Sequence, residues 1–479
     1  MLSKNITKNQ INITTYLLEN KIVNKKVFII TFFSSIFLLI SLALYLNVST
    51  EKPHRDLDSG GYEEKALLFY KTGSLAPVHT KTPPLVQQPL GYPLFMGIIY
   101  KTFGTQDIFL IWAQILLTLL SALILFFATR HLFGNTTALI AHAFFCLNIG
   151  YITFAQFILA EALLAFFLML FFERFSYFIK TKKKYSLGLA GLALGSSSLI
   201  KPAALYYFLP LLLILIPFVF TLKRFSAIKK AFFLALFTSC FFVPVKSYQL
   251  YNYLTYGIAN FGALGNYNLY VWFWSKVATD QQTPETTSHR NKIFSQEKQS
   301  RTSMITGNPL QSESWDRLGQ AFWKSARENP SLFIKTWIRE MIKTYAGLYS
   351  TNLKVLVENK TKGGDVSFFY NKGSFPNKIY HYITQGTDST IIKATSFLET
   401  IWNILRYILV LFALLWLLIK EKWFLLSFFT SYIFYFSLVT GFDGCARYRT
   451  MFEFLLITLA SLGISVLFLH KGTCREKQG

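Results

Sequence analysis

The 479-residue sequence is 52% hydrophobic and 18% aromatic, but only 15% of its residues are charged. Soluble domains average about 25% charged residues, so the composition excludes an ordinary soluble enzyme. The apolar residues fall in long uncharged runs, which exclude a disordered chain or a coiled coil and indicate a membrane protein. The net charge is +24. Because Lys and Arg also set the orientation of a membrane protein, their distribution over the loops has to be determined before this charge is taken as a sign of nucleic-acid binding.

A membrane-spanning helix needs about 20 apolar residues, and ten segments fit or approach this length. We predict them, in chain order, at 27–48, 108–129, 136–152, 157–177, 185–200, 202–222, 231–246, 401–419, 423–442 and 450–469. The stretch 132–172 is too long for one span and is divided near 150–157. The predicted fold class is an all-α polytopic membrane protein with about ten transmembrane helices.

The distribution of Lys and Arg predicts the orientation of these spans. With the N-terminus inside, the inside segments carry 19 Lys and Arg residues, whereas the short outside loops carry 3. This asymmetry follows the positive-inside rule and places both termini in the cytoplasm. Because the excess positive charge then serves topology, we expect the lipid bilayer, and no nucleic acid, as a partner. The first run lacks a small-residue cleavage site and is expected to remain as an anchor.

This topology divides the chain into four parts. They are the cytoplasmic N-terminus 1–26, a membrane domain 27–246, an outer-face loop domain 247–400, and C-terminal membrane helices with a short cytoplasmic tail at 401–479. A first outer loop, 49–107, interrupts the membrane domain. The amphipathic segment at about 330–347 is suited to a domain that rests on the membrane.

Two carboxylates are predicted at the outer ends of helices. Asp58 follows the first span, two residues after Asp56, and could act as a general base on a hydroxyl group. Composition alone favours a solvated loop acid instead, since exposed acids are common. Glu161 lies about one turn into the fourth span. A carboxylate at membrane depth marks a functional site by default, and the alternative is a helix-terminal acid that faces water.

Basic residues are predicted on the same face. Lys201 lies in the tight turn between spans five and six, where it could neutralise a phosphate or extend to the membrane interface. Arg447 and Arg449 lie outside, against the positive-inside rule, and the guanidinium fork suits a phosphate. Alternatively, these arginines pair with Asp443 or Glu453. Two acids and two bases on one face describe a site for a phosphorylated lipid and a nucleophile.

The ordered motifs resemble a known family. They are D-x-x-x-Y from Asp58 to Tyr62, P-x-G-Y-P-L from Pro89 to Leu94, the acid Glu161, a small-residue span that ends in Lys201 and Pro202, the loop sequence GNYNLY, and the closing Arg447, Tyr448 and Arg449. In this order and topology the chain resembles the GT-C glycosyltransferases, in the branch similar to protein O-mannosyltransferases and the lipid A aminoarabinose transferase. One departure is Ser59, where many relatives have Glu.

The resemblance implies a polyprenyl-phosphate-linked sugar as donor and a glycan, lipid or protein as acceptor. It implies transfer on the outer, periplasmic face of a bacterial inner membrane. Asp58 would be the catalytic base of an inverting glycosyltransferase. The substrate-binding residues would be Tyr62, Glu161, Lys201, Arg447, Tyr448 and Arg449. No cofactor is required by the pattern, and a divalent metal, if the site uses one, is expected at Asp58 and Glu161.

Two other functions share these features. A lipid-linked saccharide transporter or flippase would need the same spans and phosphate contacts, although transporters more often keep such groups at the midplane of the membrane. An O-antigen polymerase or ligase would also carry a large outer loop. Dependence of sugar transfer on Asp58 separates the predicted transferase from both.

Overall fold

The computed structural model describes residues 25–49, 55, 58–75, 89–257, 264–282, 287–303, 312–357 and 389–475, with the isolated positions 259, 261, 377, 380 and 384. Within these residues the regular structure is helical. Seven helices are long and apolar enough to cross a membrane, and Glu453–Phe468 is a shorter apolar helix. The predicted all-α polytopic membrane fold is confirmed.

Ten helices correspond to the ten predicted spans. They are α1 (Lys25–Ser49), α4 (Asp107–Phe133), α5 (Asn135–Cys146), α7 (Glu161–Thr181), α8 (Lys184–Ser198), α9 (Phe208–Phe220), α10 (Ala227–Tyr256), α17 (Thr390–Ile419), α18 (Trp423–Thr440) and α20 (Glu453–Arg475). The remaining helices lie between them. They are α2 (Ser59–Thr72), α3 (Gly91–Phe103), α6 (Ile149–Phe154), α11 (Leu264–Tyr267), α12 (Trp274–Gln281), α13 (Thr287–Ser303), α14 (Ser312–Glu328), α15 (Pro330–Ala346), α16 (Ser350–Val357) and α19 (Ala446–Arg449).

Two of the predicted spans are too short. Segment 231–246 belongs to α10 and segment 401–419 to α17, and each of these helices has 30 residues. Ser226 and Ser389 begin them, each accepting a hydrogen bond from the backbone N–H three residues later. The helices continue past their apolar windows because helix ends are set by caps and breakers, whereas hydropathy detects only the lipid-facing part.

The division of 132–172 also differs in detail. Helix α5 ends at Cys146, the short α6 follows, and residues 155–160 turn before α7 begins. Glu161 is therefore the first residue of its helix, and the prediction that it lies one turn inside the span is wrong. A carboxylate at this position interacts favourably with the positive end of the helix dipole, which favours a helix start at Glu161.

Helices α8 and α10 pack closely through glycine. A Cβ atom on Gly195 would lie 2.2 Å from the carbonyl oxygen of Phe241, and one on Gly191 would lie 2.4 Å from that of Phe237. Both neighbours are backbone atoms and cannot rotate away. The close approach of the two helices therefore requires glycine at these positions.

We expect Gly195→Ala to destabilise the protein by about 1–3 kcal/mol, because overpacking forces the two backbones apart. Gly188→Ala on the same helix is the matched control, since its Cβ would meet only the side chains of Cys240 and Leu236 at 3.3 Å. The measurement is the thermal midpoint of each purified variant in detergent. Equal midpoints for the two variants would contradict this account of the helix contact.

The segment between α10 and α17 has its own aromatic cluster. Its buried members are Tyr270, Val271, Phe273, Trp274, Val277, Leu318, Phe322 and Ala326. The predicted amphipathic helix at 330–347 is confirmed as α15. The indole of Trp337 on α15 donates a hydrogen bond to the carbonyl oxygen of Leu438 at 3.0 Å, which fixes α15 at the end of α18. The placement of 247–400 on the outer face stays a prediction.

Candidate active site

Four predicted residues from distant parts of the chain form one ionic cluster. The ammonium group of Lys201 and the Nε–H of Arg447 each donate to Oε1 of Glu161 at 2.5 Å. The Nη2 group of Arg447 donates to Oδ2 of Asp58 at 2.8 Å. Arg447 thus connects the two carboxylates. We call Asp58, Glu161, Lys201 and Arg447 the charged cluster.

Helix ends and turns position these side chains. Asp58 immediately precedes α2, and the neighbouring hydroxyl of Ser59 donates to the carbonyl oxygen of Ile158 at 2.8 Å. This bond holds the start of α2 beside the turn that precedes Glu161. Lys201 lies shortly after the end of α8 and immediately precedes a 3₁₀ turn, Pro202–Ala204. Arg447 lies in the single turn of α19. Every member therefore lies where a helix begins or ends.

Burial differs sharply within the charged cluster. The side chain of Glu161 is 1% exposed, those of Lys201 and Arg447 are 13% and 12% exposed, and that of Asp58 is 42% exposed. The alternative of a water-facing Glu161 is therefore wrong, and Lys201 turns to Glu161 instead of extending to the interface. Asp58 is the carboxylate that an incoming molecule can reach.

The local charges fix two protonation states. Burial disfavours the charge of Arg447, but Glu161 and Asp58 outweigh burial and raise the pKa of Arg447 well above its ordinary value. Arg447 therefore stays cationic. Burial, reinforced by the same two carboxylates, raises the pKa of Tyr62 well above its ordinary value, so Tyr62 stays a neutral phenol.

Tyr62 is part of a buried polar and aromatic support. Its ring packs edge-to-face on Tyr92 with centroids 4.9 Å apart. The Tyr92 hydroxyl donates a hydrogen bond to the side-chain oxygen of Gln114 at 2.6 Å. The Gln114 amide in turn donates to the carbonyl oxygens of Ala155 and Phe157, at 3.0 and 2.9 Å. This chain of contacts connects α2 with the turn before Glu161. It holds the elements that carry Asp58 and Glu161 together.

Tyr448 also contacts the charged cluster. The ammonium group of Lys201 lies 5.2 Å from the centre of the Tyr448 ring, within the range of a cation–π interaction. Burial raises the pKa of Tyr448 well above its ordinary value, so its hydroxyl stays protonated. Tyr62 and Tyr448 thus add two neutral phenols to the cluster.

Arg449 lies in a different environment. Its Nε–H donates to Glu453 at 2.9 Å, and its Nη1 group donates to the carbonyl oxygens of Tyr345 and Gly347 at 2.8 and 2.7 Å. Arg406 also pairs with Glu453. The side chain of Arg449 is fully buried. The pairing with Glu453, expected as one alternative, is observed for Arg449, and the structure does not bring this residue to the charged cluster.

A second group of charges, which the sequence patterns did not reveal, lies beside the loop that carries Arg447. Lys276 of α12 pairs with Asp443 and, at 3.3 Å, with Glu340 of α15. Lys343 pairs with Glu340 at 2.6 Å, and Glu340 accepts the N–H of Gly444 at 3.1 Å. These contacts clamp the 441–449 loop between α12 and α15. The sequence signals were the amphipathic 330–347 segment, which contains Glu340, and Asp443, which was expected to pair with an arginine and pairs with Lys276 instead.

Glu340 is a structural anion. Burial acts to raise its pKa, but the positive charges of Lys276 and Lys343 outweigh burial and lower the pKa of Glu340 to about 2. Its carboxylate therefore stays ionised at any physiological pH, and the clamp on the Gly444 backbone does not depend on pH in that range. Asp56 lies outside the described residues.

Comparisons with known proteins support the family resemblance. Residues 87–248 match the family model described as dolichyl-phosphate-mannose-protein mannosyltransferase. This match includes Glu161 and Lys201. No curated protein sequence matches the chain.

Solved structures are similar to this chain at low sequence identity. The apo oligosaccharyltransferase of Archaeoglobus fulgidus is 12% identical, with a TM-score of 0.51, and the match covers 95% of this chain and 52% of that chain. ArnT from Cupriavidus metallidurans in the apo state is 15% identical, with a TM-score of 0.36, and the match covers 89% of this chain and 76% of that chain. The chain thus spans about half the length of the archaeal enzyme. The predicted resemblance to the GT-C glycosyltransferases is confirmed by the mannosyltransferase family model over residues 87–248 and by the shared fold over nearly the whole chain.

Proposed function

We propose that this integral membrane protein is an inverting glycosyltransferase that moves a sugar from a polyprenyl-phosphate donor to an acceptor hydroxyl on the outer face of the membrane. The observation that carries the proposal is the charged cluster, in which half-exposed Asp58 pairs with Arg447, while Arg447 and Lys201, both mostly buried, pair with Glu161. This reaction requires a carboxylate that accepts the hydroxyl proton close to positively charged groups that bind the phosphate. The matched family model has a lipid-phosphate-linked sugar in its description, which supports this class of donor.

In the proposed reaction, the acceptor hydroxyl attacks the anomeric carbon of the donor sugar. Asp58 takes the hydroxyl proton as the new bond from oxygen to carbon forms. The bond from the anomeric carbon to the phosphate oxygen breaks, and the electron pair leaves with the polyprenyl phosphate. Attack opposite the leaving group inverts the anomeric centre, and the charge of Asp58 is neutralised by the proton that it accepts.

An ordinary aspartate is a weak base, so positioning and electrostatics have to supply most of the rate. Arg447 connects Asp58 and Glu161, and it orients the base. Lys201 and Arg447 supply the positive charge that stabilises the leaving phosphate. The neutral phenols of Tyr62 and Tyr448 are hydrogen-bond donors for sugar or phosphate oxygens. Glu161 holds both cations in place.

The proposal includes a cellular location, which rests on the charge distribution of the sequence. The protein would lie in a bacterial inner membrane with both termini in the cytoplasm and with Asp58 facing the periplasm. Accessibility of single introduced cysteines to a membrane-impermeant reagent tests this orientation. Labelling of a cysteine at exposed Glu64 from the outside, and none at exposed Lys420, is the expected result.

The function is tested by mass spectrometry of lipids and envelope glycans from cells with and without the gene. The expected result is loss of one defined sugar from one acceptor in the deletion strain, and restoration by the wild-type gene. Purified protein should then transfer that sugar from a polyprenyl-phosphate donor. If purified protein instead moves the lipid between leaflets without forming a glycosidic bond, the transferase proposal is wrong.

We expect Lys201→Met to slow transfer by about 10- to 100-fold, because charge-assisted contacts to phosphate contribute roughly 1.5–3 kcal/mol. The effect should appear in kcat if Lys201 acts on the leaving phosphate, and in KM if it acts mainly on the bound donor. The control is Lys101→Met, an exposed lysine at the end of α3 whose ammonium group lies over the Phe69 ring. Equal kinetics for the two variants would contradict the proposed role.

A further inference from the structure

We propose that Arg447 occupies the position of a divalent cation between Asp58 and Glu161, so that the site works without a metal ion. This inference deepens the proposed function, because metal dependence is the main feature that the sequence left open for these two acids. The geometry is direct: one guanidinium group contacts both carboxylates, at 2.8 Å for Asp58 and 2.5 Å for Glu161. A metal that bridged the two acids would have to displace this group.

The charge balance argues against such a displacement. Asp58 and Glu161 carry two negative charges, and Lys201 and Arg447 carry two positive charges within contact distance. A divalent ion would face the repulsion of both cations in a poorly hydrated site, where charges are weakly screened. Moving Arg447 away would also leave a guanidinium group, only 12% exposed, without its carboxylates.

While Arg447 holds the two carboxylates, the donor atoms left free for a metal ion are also too few. Mg²⁺ requires near-octahedral oxygen ligation, and Mn²⁺ prefers similar oxygen-rich sites. Across the described residues no group of three or more His, Cys, Asp and Glu side chains is arranged to hold a metal. Within the charged cluster, only Oε2 of Glu161 is buried without a hydrogen-bond partner among the described atoms. While Lys201 and Arg447 occupy the other Glu161 oxygen, this atom alone does not make a site for a divalent ion.

The inference predicts a latent metal site. Removal of Arg447 leaves two carboxylates facing one cavity that the guanidinium group had filled. A divalent cation, with water molecules as its remaining oxygen ligands, should then bind where the arginine was and neutralise the same two charges. The wild-type protein should bind no such ion.

The test uses Mn²⁺ and the purified full-length chain in detergent, freed of metal by EDTA and dialysis. Electron paramagnetic resonance measures the free Mn²⁺ signal, so the readout does not depend on transfer activity. We expect no loss of signal with wild type and a loss equal to the protein concentration with Arg447→Ala. The double variant Arg447→Ala with Glu161→Gln is the matched control and should again bind none. Size-exclusion profiles establish that each variant is folded.

The wild-type titration alone can overturn the inference, even if the arginine variant fails to fold. Stoichiometric Mn²⁺ binding by wild type that disappears in Glu161→Gln would show a metal site and exclude the role proposed for Arg447. A folded Arg447→Ala protein that binds no Mn²⁺ would contradict the latent site. Absence of transfer activity in every form would overturn the proposed function and leave the Mn²⁺ result standing. If transfer is observed, EDTA should leave its rate unchanged.

Discussion

Asp58→Asn is expected to lower the rate of sugar transfer by about 10²–10⁴-fold, the usual contribution of a general base. The amide has nearly the same shape as the carboxylate but cannot accept the proton of the acceptor hydroxyl. The fold should persist, because Asp58 is 42% exposed and its ion pair with Arg447 is partly solvated. The measurement is transfer by purified protein at saturating donor, with the thermal midpoint recorded for the same sample.

The matched control for this experiment is Glu64→Gln. Glu64 is an exposed acid on α2, one and a half turns from Asp58, so the substitution removes one negative charge from the same helix. Its transfer rate should equal that of wild type. If Asp58→Asn also retains the wild-type rate, Asp58 is a solvated loop acid and the mechanism has to be abandoned.

Glu453→Gln is expected to destabilise the protein by about 3–5 kcal/mol, the usual cost of removing one partner from a buried ion pair. Glu453 is fully buried and pairs with both Arg406 and Arg449. Its Oε1 also accepts a hydrogen bond from the Asn148 amide at 2.9 Å. Loss of this carboxylate leaves two buried guanidinium groups with too little negative charge.

The measurement is the thermal midpoint in detergent, together with the yield of folded protein from membranes. Glu297→Gln is the control, because Glu297 forms an ion pair with Arg301 on the surface, at 3.3 Å, and is 27% exposed. Surface pairs contribute roughly 0–1 kcal/mol, so this variant should melt close to wild type. Similar midpoints for the two Glu→Gln variants would show that the buried network does not hold the helices together.

The sequence predicted the membrane helices well because one physical term dominates their formation. A helix crosses the bilayer only when a long uncharged run of apolar side chains is transferred from water to lipid. Such runs are visible in the sequence without a structure. The ends of the helices were harder to predict. Thr390–Ser396 and Tyr248–Tyr256 are helical although they lie outside the apolar windows, since no Pro or Gly interrupts them.

The site was predictable in part. Topology placed Asp58, Glu161, Lys201 and Arg447 on one face, and the structure brings these four into contact. The closing motif predicted that Arg447 and Arg449 bind substrate together. The structure separates them, because Arg447 pairs with Glu161 and Arg449 pairs with Glu453. Residues two apart in a helical turn do not face the same side. Without knowing that Ala446–Arg449 is helical, this separation could not be predicted.

The ion pairs that hold the 441–449 loop between α12 and α15 could not be predicted from the sequence. Lys276 and Asp443 are 167 residues apart, and each belongs to a polar stretch in which charges are common. Hydropathy and motif order carry no information about which of many exposed charges will pair. Only the packing of α15 against the end of α18 brings Glu340 and Asp443 to the same lysine.

The chain order of the charged cluster has a consequence for biogenesis. Asp58 and Arg447 are 389 residues apart, and Glu161 and Arg447 are 286 apart. A ribosome that has inserted the first eight spans has made both acids and Lys201, but the arginine that joins the two acids is still unmade. The nascent protein therefore holds the proposed base, Asp58, without the arginine that contacts it, and the cluster is completed only as the last helical hairpin enters the membrane. Assembly of the final hairpin is thus the step that turns an inserted chain into a finished site.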